Sequence, residues 1–201
     1  RGLGDVYKRQ DMKEHSKFAH EGRKRILVAG SSGLIGTQLV AFLDTGGHDV
    51  WRLVRRPVKE GAKELFWAPD KGVLESSDLE GFDAVIHLGG AGIGDKRWSK
   101  KRKKLIVDSR RESTMLLSET LSKLEKKPET FIVASAIGYY GNRGDEDLDE
   151  ASAPGSGFLT DTVIDWESFP DSARDAGIRV INLRNGIVLS ATGGALGKML
   201  L

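Results

Sequence analysis

Three glycines set three residues apart carry the first chemical signal in this chain. Gly30, Gly33 and Gly36 stand in the stretch RILVAGSSGLIGTQLVAFL, where a short apolar run gives way to an amphipathic one. Gly30 permits a sharp exit from a strand, and Gly33 lets main chain approach a pyrophosphate with no Cβ in the way. Gly36 lets the next helix lie close on the sheet, with its unpaired N-terminal N–H groups facing the phosphates. The spacing G-x-x-G-x-x-G is one residue longer than the commonest fingerprint. The strand before it and the helix after it are the context that fingerprint requires, so dinucleotide binding is the expected chemistry.

The next apolar run bears on which dinucleotide. Where NAD is preferred, an acidic residue about 20 positions past the glycines bonds the ribose 2′-OH. Here the run ends Leu53-Val54-Arg55-Arg56-Pro57, with no acid at that point. Two guanidiniums suit a 2′-phosphate by charge and by bidentate fit. NADP is therefore expected ahead of NAD, with a solvated strand end as the plain alternative.

These residues need a scaffold, and the patterning supplies one. Arg25–Ala29 reads as a buried strand, 34–43 as a helix ended by Gly46-Gly47, and 50–54 as a second strand. A short third strand is expected at 65–67, before a Pro-Asp-Lys-Gly turn, and a fourth at 84–88. A long helix should run from about 99 to 124 with Leu117, Leu121 and Leu124 on one face. A fifth strand over 130–135, a helix over 158–176 and a sixth strand over 179–183 complete the series. Strands alternating with helices mean βαβ units, hence an α/β fold with a doubly wound parallel sheet.

Composition narrows the function classes. The chain has 201 residues, 39% hydrophobic and 30% charged, no cysteine and four histidines. That excludes disulfides and thiol catalysis, and the scattered histidines form no metal-ligand spacing, so no metal is expected. Net charge is only +2, yet residues 96–104 (KRWSKKRKK) hold seven basic residues and no acid. On a helix those charges spread around every side, which reads as a solvated helix start; no nucleic acid is expected as a partner. His87, inside an apolar run, reads as a packed core residue. Arg184 and Asn185 either hold a substrate or cap the sixth strand.

With these motifs in place, the chain resembles the atypical, extended-like short-chain dehydrogenase/reductases, and among them the NAD-dependent epimerase/dehydratase-like "epimerase family" proteins. The resemblance runs from about residue 25 to 201. It rests on AGSSGLIG (29–36), DAVIHLGGAGIGDKRW (83–98), DSRREST (108–114), SAIGYYGNRGDE (135–146), GFLTDTVIDWE (157–167) and LRNGIVLSATGGALGKML (183–200). It implies that Gly30, Ser32, Leu34 and Ile35 line the pyrophosphate turn beside Gly33 and Gly36. It places Arg55, with Arg56 beside it, at the 2′-phosphate, and Leu88, Gly89, Gly90 and Ala91 along the adenine and nicotinamide ribose. The catalytic pattern departs from the family. Extended members carry a Ser/Thr after the fifth strand and a Tyr-x-x-x-Lys pair on the next helix, whose tyrosine serves as acid or base. Ser135 fills the serine role, but Phe158 and Thr162 occupy the tyrosine and lysine positions. Tyr139 and Tyr140 are the substitutes in reach.

The expected protein is thus a Rossmann-type NADP-binding oxidoreductase or epimerase, acting by hydride transfer on a small or nucleotide-linked substrate. A non-catalytic NADP-binding sensor or partner-binding protein is the competing reading. Residues 1–22 read as a non-native or disordered segment, 23–190 as the cofactor domain, and 191–201 as the start of a truncated substrate-binding lobe. With no cysteine and no membrane-length apolar run, a cytoplasmic protein without a membrane partner is expected. The oligomeric state is left open.

Overall fold

The computed structural model describes residues 22–94, 96–190, 193, 194 and 196. The leading segment except for residue 22, and most of the expected lobe start at 191–201, lie outside the described residues. Five strands form the centre: β1 (Arg25–Ala29), β2 (Asp49–Val54), β3 (Glu64–Ala68), β5 (Ala84–His87) and β6 (Thr130–Ala136). β7 (Arg179–Asn185) lies at one edge and the two-residue β4 (Val73–Leu74) at the other. The order is β4-β3-β2-β1-β5-β6-β7. Every pair is parallel except β3 with β4. This is the doubly wound, Rossmann-type α/β sheet.

Alternation along the strands builds two cores. Leu27, Val85, Phe131 and Val133 point to the face covered by α2 (Lys100–Ser122), α3 (Phe158–Ser168) and α4 (Asp171–Asp175). Ile26, Val28, Val50 and Ile86 point to the face under α1 (Leu34–Thr45), where Val40 meets them. Leu117 and Leu121 are buried on one side of α2 as their spacing required, and Leu124, just past the end of the helix, is buried with them. Each fully buried side chain of this size contributes roughly 1.5–3 kcal/mol.

Two elements differ from the sequence expectation. The helix expected over 158–176 is two helices, because Pro170 cannot extend α3 and instead caps the short α4. After β3 the chain makes a 3-10 turn at Pro69–Lys71 and returns as β4, antiparallel to Trp67 and Ala68. Gly72, at φ 64°, supplies the left-handed residue that this reversal needs. A final hairpin pairs β8 (Leu189–Ser190) with Gly193 and Gly194. No helix of the described residues is long and apolar enough to cross a membrane.

Candidate cofactor and substrate cleft

The sheet reverses its winding between β1 and β5. Their connections leave toward opposite faces and open a crevice beyond the carboxyl ends of the strands. Gly30 leaves β1 at φ 81° and lies so close to the next loop that a Cβ there would sit 2.8 Å from Leu88 and Gly89 backbone. At Gly36 a Cβ would come 2.2 Å from the Gly30 carbonyl oxygen. The turn and helix are packed to a closeness that glycine alone allows. α1 opens at Gly33 with no side-chain cap and no acid in its first turn, which leaves its end amides open to an anion.

A cleft of about 1190 Å³ runs from this turn across the ends of β2 and β3 to α2. That exceeds the roughly 300–1,000 Å³ of ordinary small-molecule sites. Gly30, Ser32, Arg55, Arg56, Gly89, Gly90 and Ala91 all line it. Gly33, Leu34, Ile35, Gly36 and Leu88 are not on its wall: Gly36 is buried beneath the turn, and Leu34 lies against Gly193 and Gly194 of the last hairpin. Sequence reasoning missed the far wall, made of Trp67 in β3, Pro69 and Asp70 after it, and Leu105, Asp108, Ser109 and Glu112 along α2. The 3.6-residue spacing of Leu105, Asp108, Ser109 and Glu112 was the available signal, and it was masked by the charge of its neighbours.

The two arginines after β2 behave differently. Arg56 grips Glu64 with both arms, at 2.9 and 2.7 Å, and Glu64 also accepts the Lys59 amide at 3.2 Å. The Arg56 hydrogen bond outweighs burial and brings the Glu64 carboxyl down to about 2. Arg55 is exposed on the cleft wall and has no partner among the described residues.

The loop after β5 is held from both sides. His87 is fully buried, with Nε2 2.9 Å from Ser113 Oγ and Nδ1 3.4 Å from the Gly89 N–H. Because Ser113 gives its own proton to the Ser109 carbonyl at 2.6 Å, His87 donates from Nε2 and accepts at Nδ1. Desolvation, with the Arg110 charge behind it, pushes its pKa down to about 3, so it is the core residue that the sequence suggested. Ser109 accepts the Ala91 N–H at 3.0 Å, Arg110 donates to the Ala91 carbonyl at 3.1 Å, and Arg102 donates to that of Gly92. The Arg110 guanidinium lies 4.6 Å from the Trp166 ring centre, and its burial pulls its pKa down to about 10. A Cβ on Gly90 would come 3.3 Å from that guanidinium.

Beyond β6 and β7 a second cluster forms. Ser135 is buried and donates to Glu167 Oε1 at 2.5 Å. Arg184 donates to both Glu167 oxygens at 2.8 Å and to the Tyr140 hydroxyl oxygen at 3.0 Å. Its guanidinium stacks 3.6 Å from the Tyr139 ring centre, and the two tyrosine rings meet edge-on at 5.3 Å. The structure thus brings Ser135, Tyr139 and Tyr140 together through Arg184 and Glu167. Arg184 does more than cap its strand, and Glu167 was not anticipated. Thr162 bonds the carbonyl of its own helix at Phe158, at 2.6 Å, and Phe158 packs on Trp98, so α3 presents no titratable group at either position.

Fold and cleft together define a doubly wound α/β protein of the short-chain dehydrogenase/reductase type. More narrowly, the chain belongs to the NAD dependent epimerase/dehydratase family, whose description it matches over residues 26–197. It is 41% identical to the epimerase family protein Mb2239 of Mycobacterium bovis over 174 residues, 87% of this chain and 57% of that protein. The human epimerase family protein SDR39U1 is 33% identical over 180 residues, 88% of this chain and 59% of the relative. The chain therefore spans a little under six-tenths of these relatives' length. Among solved structures, the nucleoside-diphosphate sugar epimerase of Corynebacterium glutamicum superposes with a TM-score of 0.80 at 36% identity, covering 96% of this chain and 42% of its own. Human SDR39U1 with NADPH gives a TM-score of 0.75 at 31% identity, covering 88% and 58%.

Proposed function

We propose that this chain is the cofactor-binding part of an NADP-dependent oxidoreductase or epimerase of the short-chain dehydrogenase type. The carrying observation is Arg55: it stands on the cleft wall with no partner among the described residues, while its neighbour Arg56 is committed to Glu64. An unpaired guanidinium at that strand end suits a 2′-phosphate. The close Gly30–Gly36 turn suits a pyrophosphate, and the human relative was solved with NADPH.

In this reading the bound nicotinamide supplies or takes up a hydride. Ser32 and Gly30 line the pyrophosphate end of the cleft, and Gly89, Gly90 and Ala91 form the wall that leads away from it. Gly33, Leu34, Ile35 and Gly36 complete the turn assigned to the pyrophosphate in this reading, and Leu88 the strand end assigned to the ribose. Tyr140 is the proton-handling group: Arg184 donates to its oxygen, so the phenolic proton is left to be given to a substrate oxygen. Tyr139 flanks it beneath the same guanidinium. Ser135 acts at one remove, because its proton is held by Glu167. The substrate is a small or nucleotide-linked molecule; the Corynebacterium neighbour, named a nucleoside-diphosphate sugar epimerase, supports the latter. The absence of cysteine is consistent with a cytoplasmic setting.

Calorimetric titration with NADPH and NADH tests the cofactor reading, and equal affinities overturn it. The second reading, a non-catalytic NADP-binding module, is favoured by the pairing of Phe158 and Thr162 on α3. NADPH oxidation across a panel of carbonyls and nucleotide sugars, with Tyr140→Phe as control, separates the two.

A further inference from the structure

Lys103 occupies a corner between α2 and α3, on the side of α2 away from the residues that line the cleft. Its ammonium lies 4.7 Å from the ring centre of Phe158 and 5.9 Å from that of Trp98. The two rings meet edge-on at 5.5 Å, and the Trp98 indole N–H is tied to the Ile93 carbonyl at 2.8 Å. Three separate segments build this corner: the loop after β5, the first turns of α2, and the first residue of α3. The chain that lines the cleft at Gly89, Gly90 and Ala91 continues through Gly92 to Ile93, whose carbonyl holds Trp98.

The neighbouring cations are occupied. Lys104 pairs with Asp108, and Arg102 donates to Gly92. Lys103 is half-buried, and among the described residues it has no ion pair and no side-chain hydrogen bond. Ring faces replace only part of the hydration that a half-buried ammonium loses. Its three N–H donors call for oxygen acceptors, and no side chain among the described residues provides them.

We propose that Lys103, backed by Phe158 and Trp98, is the subsite that binds an anionic oxygen group, a phosphate or a carboxylate, on the substrate. The proposal rests on the reading of the adjoining cleft as the cofactor site. The ammonium takes the charged oxygens, while the exposed part of the Trp98 ring offers a flat apolar face to the substrate's skeleton. α3 carries the Phe158 ring where the family's tyrosine would stand and Thr162 where its lysine would, and α2 brings the Lys103 ammonium onto that ring.

The test uses protein whose lysines are ¹³C-dimethylated, which keeps their charge, with the Lys103 signal assigned by its loss in Lys103→Arg. Inorganic pyrophosphate and malonate are titrated in separate arms at saturating NADP+. The Lys103 signal should shift saturably with one of them, and the arm that responds identifies phosphate or carboxylate. By calorimetry Lys103→Met should bind that probe roughly tenfold or more weakly, as loss of a charged hydrogen bond implies. Lys103→Arg should stay near wild type, and NADP+ affinity should be unchanged in both. The proposal is overturned if neither probe moves Lys103, if all lysines shift alike without saturation, or if Lys103→Met binds as wild type does. Failure of wild type to bind NADP+ would overturn the cofactor reading instead, and the same anion titration without cofactor would still decide Lys103.

Discussion

Arg184 and Glu167 meet face to face, with Nε and Nη2 of the guanidinium each 2.8 Å from a different carboxylate oxygen. The pair joins β7 to α3 and sits directly behind Tyr139 and Tyr140. Burial alone would raise the Glu167 carboxyl, but the hydrogen bonds from Arg184 and Ser135 prevail and hold it below its ordinary value. Removing one partner leaves the other charge largely buried and uncompensated.

Glu167→Gln should therefore lower stability by roughly 2–4 kcal/mol. Arg184→Lys should recover only part of the loss from Arg184→Met, because an ammonium cannot reproduce the fork. Urea unfolding monitored by tryptophan fluorescence measures both. A Glu167→Gln midpoint equal to wild type would mean that the pair is not structural.

Arg55 and Arg56 should separate affinity from stability. Arg55→Gln removes an exposed, unpartnered cation, so the melting temperature should hold while NADPH binding weakens roughly tenfold or more, with NADH little affected. Arg56→Gln strands Glu64, which is 6% exposed, so it should lower the melting temperature instead. Differential scanning fluorimetry with NADPH and NADH titrations distinguishes the two. The reverse pattern would sink the assignment of the 2′-phosphate to Arg55.

Gly36→Ala places a methyl group 2.2 Å from the Gly30 carbonyl oxygen. α1 must then move off the turn, with a cost of about 1–3 kcal/mol for overpacking. NADPH binding should fall with it. Gly47→Ala is the control: it strains a positive φ, which Gly36 does not have, yet its Cβ meets nothing within 4 Å. Stability should drop there with the cofactor site intact.

His87 makes stability depend on pH. Its pKa is about 3 in the folded protein against 6.5 for the exposed ring. The unfolded chain thus takes up a proton first as pH falls, and the folded state loses stability from about pH 6.5 downward until His87 itself protonates near 3. Melting temperatures measured from pH 7.5 to 4 should decline, and the decline should flatten in His87→Gln. Glu64 adds a separate loss below its ordinary value of 4.5, as pH approaches about 2. An unchanged slope in His87→Gln would assign the decline to other groups.

Much of the fold was legible because its signals are local. Strand runs such as RILVA and AVIH announce burial by residue type alone. The glycine turn announces itself by the spacing of its own residues, although the close approach that Gly30 permits is to Leu88 and Gly89, far along the chain. The burial of Leu117 and Leu121 needs nothing but helical periodicity. The break at Pro170 was also written locally, and the apolar spacing on either side hid it. The β4 return was less legible, since two residues are too short a run to carry a period.

The sequence by itself determined the alternating elements, the glycine turn between β1 and α1, and the presence of cations at the ends of β2 and β7 and at the start of α2. Only the tertiary structure decided which of those cations are occupied. Arg56 is taken by Glu64 across the β2–β3 pairing, Arg184 by Glu167 across the contact of β7 with α3, and Lys103 is left over two rings from different segments. Residue type fixes that a charge exists. Its chemistry depends on the partners and the water around it, and strand order and helix packing assemble those from distant parts of the chain.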